Sequence, residues 1–364
     1  PFSSGLLFTL TMETTAPGGK RDMASVAADA DIFGFFRIKR VCTLDDGVNL
    51  WGDDFEIPTP KLRHKASGSS DKMDDDDDDF NVKTWATLHD AALEVLSTPS
   101  AHKKALLTQV IAKKWFDGKS ILKARDVSSK GKRVQETPER DALVTIVSSN
   151  SNKLKLGSGR SIESRRKILH SLSHIESWAI DLSWDIIARF GHEVEKEREF
   201  FDDFVRVALD EAKHHLLLTK RLEEIGGKYG DFPAHDGLWQ SAMETSDSLM
   251  HRLVVEHCVH EARGLDVMPN TINKFRENGD EESAVLLETI VYPEEIGHVK
   301  AGLKWFKFLL GDASERGGEE TVKIFREIVE KKFYGALKPP FNDEARAKAG
   351  FDRRYYEVAV DAVV

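Results

Sequence analysis

Apolar residues recur at helical spacing through the second half of the chain. Four long segments follow that spacing, at about 162–190, 196–226, 236–264 and 280–310. Helix-breaking residues separate them: Gly191, Gly226 through Pro233, Pro269 and Gly279. Because no strand-like alternation competes here, the pattern predicts an all-α fold. We expect a four-helix bundle over 161–312.

Shorter elements flank this bundle. Helices are predicted near 83–97 and 101–116, and Ser100 supplies a cap for the second. The stretch 118–160 is rich in Ser, Lys and Gly and predicts a loop, so 83–160 forms an N-terminal helical extension and loop. We expect a C-terminal helix and tail, 313–364, to pack on the bundle.

The first 82 residues have a different composition from the rest. Residues 31–64 hold a compact apolar cluster and predict a small arm, with a hairpin as the candidate structure. Residues 65–82 are Ser-, Gly-, Lys- and Asp-rich, which predicts a disordered acidic linker. The first 30 residues are read either as a flexible tail or as the remnant of an organelle-targeting leader.

Charge and composition bear on the cellular location of the protein and on its possible partners. The net charge of −10 owes six units to the run Asp74–Asp79, so the remainder is closer to balance. No apolar run is long enough to span a membrane. With only two cysteines, an intracellular location is expected, the cytoplasm first and a mitochondrial one as the alternative. The basic stretch 103–133 forms either a solvated face or a phosphate-binding surface.

Each predicted bundle helix carries one glutamate on its apolar stripe. These are Glu176, Glu211, Glu261 and Glu295, and two of the helices add a histidine three residues later, His214 and His298. Residues three apart share a helix face, so each Glu-x-x-His pair points its carboxylate and imidazole the same way. The separations of 35 residues (176 to 211) and 34 residues (261 to 295) indicate an internal repeat of helix pairs.

Four inward carboxylates require compensating positive charge. The sequence offers no matching set of inward Lys or Arg, whereas two divalent cations satisfy all six side chains at once. Glutamate from two helices with Glu-x-x-His from the other two is the ligand set of di-iron and di-manganese bundles. Iron is favoured and manganese is the alternative, because carboxylate and imidazole ligands suit both.

Several neighbouring residues have alternative roles. Glu294 is a rival ligand to Glu295, but only Glu295 has a histidine at the third following position. Pro293 predicts a kink just before the ligands. The remaining neighbours either surround the ligands, as orienting partners or electron relays, or simply pack in the core. They are His174, Trp178, His257, His260 and Tyr292.

With these residues in place, the chain resembles a ferritin-like family known as domain of unknown function 455. The resemblance covers about 83–358. It is carried by VLSTPSAHKKALLTQVIAKKW (95–115), SHIESWAIDL (173–182), DEAKHHLLL (210–218), YGDFPAHDGLW (229–239), HEARGLDVMP (260–269), EEIGHV (294–299) and LKPPFNDEARAKAGF (337–351). It implies a ferritin-like bundle with a dinuclear site on the same six residues, and no particular substrate.

One motif of this family adds a further candidate. Within FPAHDGLW, His235 either approaches the metals or caps the third helix, with Asp236 as the N-cap. The candidates for an outer layer around the ligands are therefore His235, His257 and Tyr292.

Two classes of function fit such a site. One is an oxidoreductase that activates dioxygen and acts on an organic small molecule, or on RNA if the basic stretch is functional. The alternative is a non-catalytic metal protein, for storage, sensing, structure or assembly. A homodimer is the candidate assembly.

Overall fold

The computed structural model describes residues 83–357, apart from 119, 122, 127–128, 312–317 and 336. Its helices are α1 (Leu88–Leu96), α2 (Ala101–Phe116), α3 (Ile162–Phe190), α4 (Arg198–Glu224), α5 (Gly237–Met243), α6 (Leu249–Val254), α7 (Glu261–Glu277), α8 (Glu281–Leu286), α9 (Tyr292–Leu310), α10 (Glu319–Lys332) and α11 (Asp343–Lys348). The predictions for 1–30, 31–64 and 65–82 lie outside the described residues.

The all-helical fold is confirmed. Strand-like pairing in the described part of the chain is limited to one isolated bridge between Ile146 and Ala234. Helix α2 starts behind Ser100, whose Oγ accepts the Lys103 N–H at 3.4 Å. Helix α3 starts in the same way behind Ser161, whose Oγ accepts the Ser164 N–H at 3.1 Å.

Pro269 does not end the third bundle helix, contrary to the sequence prediction. That helix starts at Leu249, after the separate helix α5, and runs through Pro269 to Glu277. A proline has no N–H to donate to the carbonyl four residues earlier, here Leu265. The Nδ2 of Asn342 donates to that carbonyl instead, at 3.1 Å, so a residue of the C-terminal segment satisfies the orphaned acceptor.

Both later bundle helices contain a π-helical turn. Val255–His260 joins α6 to α7, and Leu287–Val291 joins α8 to α9. Such turns insert an extra residue into a helix and are frequent at functional sites. Each turn lies just before a glutamate of interest, Glu261 or Glu295. Pro293 lies two residues after the second turn, at the start of α9.

We call α6, its π turn and α7 the third bundle helix, and α8, its π turn and α9 the fourth. These two helices approach each other closely at Gly302. A Cβ added there would lie 2.1 Å from the carbonyl oxygen of His257. Only glycine fits at this contact, which lies one turn beyond His298.

The N-terminal helices dock onto the bundle through buried charge. Lys104 of α2 is fully buried in an ion pair with Asp181 of α3. Arg140 contacts the other oxygen of Asp181 at 2.7 Å. This lysine of the basic stretch therefore points inward and is not part of a solvated face.

The C-terminal segment covers the third and fourth bundle helices. Phe325 of α10 packs edge-on against Phe306 of α9, with ring centroids 5.5 Å apart. Arg346 of α11 forms a two-pronged ion pair with Asp266 of α7, at 2.8 and 2.7 Å. This pair holds the segment that carries Asn342 against α7.

Candidate metal centre

The four bundle helices bring all six predicted ligands together in the core. They form two groups of four, in each of which the potential ligand atoms lie within 4.8 Å of one another. The first group is Glu176, Glu211, His214 and Glu295, and the second is Glu211, Glu261, Glu295 and His298. Glu211 and Glu295 belong to both groups.

The positions of the two imidazoles show why Glu211 and Glu295 belong to both groups. His214 Nδ1 lies 3.4 Å from Glu211 Oε2 and 3.4 Å from Glu295 Oε1. His298 Nδ1 lies 3.0 Å from Glu211 Oε1 and 3.3 Å from Glu295 Oε2. Each of these two carboxylates therefore turns one oxygen toward each imidazole. Glu211 and Glu295 therefore link the two groups.

Because the cluster is buried, charge on its side chains is unfavourable in free energy. Glu211 and both histidines are at most 1 % exposed, and Glu176 is 5 % exposed. Glu261 is partly exposed as a residue, while its carboxylate points into the cluster. Burial of charge without compensation in a protein core is strongly unfavourable.

Burial and the neighbouring charges shift the pKa values of the clustered residues. Burial, followed by the charges of Glu211 and Glu295, raises the pKa of Glu176 well above its usual value. The same causes raise the pKa of Glu261. Burial by itself lowers the pKa of His214, but its contacts with Glu211, Glu294 and Glu295 outweigh burial and raise it. The pKa of His298 is raised in the same way by Glu211 and Glu295. Without metal, the cluster therefore retains protons.

Two carboxylates lie behind the histidines, and one lysine joins these carboxylates. His214 Nε2 lies 2.8 Å from Glu294 Oε2, and His298 Nε2 lies 3.6 Å from Asp210 Oδ2. Lys213 Nζ donates to Asp210 Oδ1 at 2.8 Å and to Glu294 Oε1 at 2.7 Å. We call Asp210, Lys213 and Glu294 the outer clamp. A carboxylate on the second ring nitrogen fixes the tautomer and the orientation of a metal-binding histidine.

The outer clamp crosses between helices. Asp210 precedes Glu211 on α4 but faces His298 of α9, and Glu294 precedes Glu295 on α9 but faces His214 of α4. Sequence reasoning treated Glu294 as a rival ligand and did not find the clamp. The available signal was the acidic residue that directly precedes each Glu-x-x-His pair, in DEAKH and EEIGH.

The chain matches a known protein family over most of its length. Residues 97–357 match the family described as "Protein of unknown function (DUF455)". The chain belongs to this family. The DUF455 match includes all six clustered residues and the outer clamp, and it begins after α1.

One relative of the chain is a protein from Haemophilus influenzae described as "Uncharacterized protein". It is 36 % identical over 187 residues, which cover 50 % of this chain and 63 % of the relative. The chain thus spans less than two thirds of the relative's length, and the relative's description assigns no activity. No solved structure matches the chain.

His235 of the DUF455 motif FPAHDGLW lies at a helix start and not among the ligands. Its side chain is exposed, and its Nδ1 accepts the Gly237 N–H at 3.1 Å. Asp236 occupies the N-cap position, but its side chain accepts a hydrogen bond from the Gln240 side chain at 2.7 Å and caps no backbone N–H. The structure therefore favours the capping role, although the helix that is capped is α5 rather than the third bundle helix.

His257 and Tyr292, the other two candidates for an outer layer, contact the core and the C-terminal segment. His257 is buried against Phe204, with ring centroids 4.9 Å apart, and burial lowers its pKa to about 3. The Tyr292 hydroxyl accepts a hydrogen bond from Asn342 Nδ2 at 2.7 Å. The outer clamp, and not these residues, contacts the second ring nitrogens of the clustered histidines.

The remaining aromatic and histidine candidates pack around α5 and the loop that precedes it. Trp178 stacks on Trp239 with ring centroids 5.7 Å apart. His174 accepts the Trp178 indole N–H at 3.2 Å and lies 3.0 Å from the Tyr229 hydroxyl. His260 Nε2 lies 2.9 Å from Ser241 Oγ.

No helix among the described residues is both long and apolar enough to cross a membrane.

Proposed function

We propose that this protein binds two metal ions, iron first and manganese as the alternative, and is an oxygen-activating oxidoreductase that acts on an organic substrate. The observation that carries the proposal is the pair of four-ligand groups that share Glu211 and Glu295. A ferritin-like di-metal bundle has this ligand set, with one glutamate from each of two helices and Glu-x-x-His from the other two.

The chemistry of the cluster fits two divalent ions. Four glutamates carry four negative charges when ionised, which two such ions neutralise. Glu211 Oε2 and His214 Nδ1 have no partner in hydrogen-bond geometry within the described part of the chain, although both are buried. Buried polar atoms normally have such partners. Mixed carboxylate and imidazole ligands suit iron and manganese.

Two redox-active ions held by these six residues would supply electrons for the reduction of dioxygen. The residues of the chain contribute position and charge. Glu294 and Asp210 of the outer clamp lie on the Nε2 sides of His214 and His298, whose Nδ1 atoms face the cluster. Glu211 and Glu295 belong to both four-ligand groups and therefore link them. Glu176 on α3 and Glu261 on α7 each complete one of the two four-ligand groups.

A structural role for the ions is the alternative function. The observation in its favour is that the six residues come from all four bundle helices, so bound ions would cross-link the whole core. An RNA substrate remains a prediction, and so does assembly of the protein as a homodimer.

Anaerobic loading with Fe(II) followed by exposure to dioxygen tests the proposal. We expect two iron ions per chain by elemental analysis, and a rise in near-ultraviolet absorption as both are oxidised. Metal content that stays well below two ions per chain after reconstitution contradicts the dinuclear site. Two bound ions that dioxygen does not oxidise favour the structural role.

Metal affinity is expected to increase with pH. Glu176, Glu261, His214 and His298 all have raised pKa values in the metal-free protein, so they retain protons that a metal ion must displace. Each displaced proton strengthens apparent affinity by about tenfold per pH unit below the relevant pKa. Titration with Mn(II) between pH 6 and 8, with proton release followed in weak buffer, measures this. An affinity that is independent of pH contradicts the charge assignment.

A further inference from the structure

The two four-ligand groups of the metal centre are not equivalent. We call the group of Glu176, Glu211, His214 and Glu295 the His214 group, and the group of Glu211, Glu261, Glu295 and His298 the His298 group. Because Glu211 and Glu295 belong to both, the groups differ only in one glutamate and one histidine each. Any difference in metal binding between them must come from those residues and their surroundings.

The carboxylates behind the two histidines lie at different distances. Glu294 Oε2 lies 2.8 Å from His214 Nε2, which is an ordinary hydrogen-bond distance. Asp210 Oδ2 lies 3.6 Å from His298 Nε2, which is beyond that range. A carboxylate that accepts from the second ring nitrogen fixes a metal-binding histidine and makes it a stronger ligand. Glu294 therefore supports His214 directly, whereas Asp210 stands farther off and supports His298 less.

The two glutamates differ in their exposure to solvent. Glu176 is only 5 % exposed. Glu261 is partly exposed as a residue, and it is the one member of the cluster that is not fully buried. Opposite charges attract more strongly where solvent is excluded. Glu176 is therefore expected to attract a cation more strongly than Glu261.

The backbone that carries these two glutamates differs as well. Glu176 lies in the middle of α3, a continuous α-helix of 29 residues. Glu261 directly follows the π turn Val255–His260. Its N–H donates to the carbonyl of Cys258, three residues earlier, whereas a regular α-helix uses the carbonyl four residues earlier. The helix is thus regular at Glu176 and irregular at Glu261.

We propose that the His214 group binds its metal ion first and tightly, and that the His298 group binds the second ion weakly and exchanges it. This inference rests on the proposed function, because it assigns different properties to the two ions of the dinuclear site. The support of the histidine, the exclusion of solvent and the regularity of the helix all favour the His214 group. The ion of the His298 group is the one that enters last and leaves first.

Titration of the metal-free full chain with Mn(II) at one fixed pH tests the inference, with free Mn(II) measured by electron paramagnetic resonance. We expect two binding steps whose dissociation constants differ by about tenfold or more, the effect of weakened support behind a histidine ligand. Glu261→Gln is expected to remove the weaker step, and Glu176→Gln the tighter one. In the unmodified protein, a chelator is expected to remove one ion before the other, which tests the unequal affinities without any substitution.

A second pair of variants tests the carboxylates behind the histidines. Glu294→Gln is expected to weaken the tighter step by about 10-fold to 100-fold. Asp210→Asn is expected to weaken the other step by about threefold or less, because its distance from His298 exceeds that of a hydrogen bond. Asp203→Asn is the matched control. Asp203 lies on the same helix as Asp210, is 5 % exposed and accepts the Trp305 indole N–H at 2.9 Å, so both steps should stay unchanged.

Two steps of equal affinity in the unmodified protein overturn the inference and leave the dinuclear site standing. The reverse assignment, in which Glu176→Gln removes the weaker step and Glu261→Gln the tighter one, overturns it as well. An effect of Asp203→Asn as large as that of Glu294→Gln has the same consequence, provided that circular dichroism shows both variants to be folded. Fewer than two ions at saturating Mn(II) contradicts the proposed function itself, and the inference with it.

Discussion

Replacing Glu211 or Glu295 by glutamine is expected to abolish binding of both metal ions, whereas replacing Glu176 or Glu261 removes one. The reason is geometric. Glu211 and Glu295 each belong to both four-ligand groups, while Glu176 and Glu261 belong to one group each. Glutamine keeps the size of the side chain and removes the charge. Elemental analysis after reconstitution, together with the stoichiometry of a Mn(II) titration, measures the result.

The chain provides a control for this series. Glu256 is a buried glutamate of the first π turn, 1 % exposed, and its Oε1 accepts a hydrogen bond from Ser241 at 2.8 Å. It belongs to neither ligand group, so Glu256→Gln is expected to keep both ions. Equal metal loss from Glu176→Gln and Glu211→Gln would show that no carboxylate has a bridging role. Retained helicity in every variant separates metal loss from unfolding.

Lys213→Met is expected to reduce the free energy of unfolding of the metal-free protein by about 3–5 kcal/mol, because it removes the cation of a buried network. Lys213 contacts both Asp210 and Glu294, which are 3 % and 7 % exposed. Methionine leaves these two carboxylates without that cation. The histidines that they orient lose their support as well, so Mn(II) affinity is expected to fall by about 10-fold to 100-fold. Urea unfolding and Mn(II) titration measure the two effects.

Lys304 offers the comparison, because it also bridges two carboxylates. Its Nζ lies 2.6 Å from Glu199 and 2.7 Å from Asp203, but its side chain is 39 % exposed. Solvent screens such a pair, so Lys304→Met is expected to cost about 1 kcal/mol or less and to leave metal affinity unchanged. If Lys213→Met has no larger effect than Lys304→Met, the outer clamp does not support the histidines.

The sequence alone carried much information about individual helices. Apolar spacing predicted α2 and α3 within a residue of their observed limits, and Ser100 was predicted as the cap of α2, because helix periodicity and capping are local properties. The six candidate ligands were also readable. An inward glutamate on each helix, and a histidine three residues after two of them, is a pattern on one helix at a time. The structure places all six in one cluster.

What the tertiary structure decided depends on partners far apart in the chain. Pro269 lies inside a helix because Asn342, 73 residues later in the numbering, donates to the carbonyl that the proline leaves free. The outer clamp exists because α4 and α9 exchange carboxylates across the core. Helix formation is specified by neighbouring residues, whereas the satisfaction of a buried carbonyl and the support of a ligand depend on which helices meet.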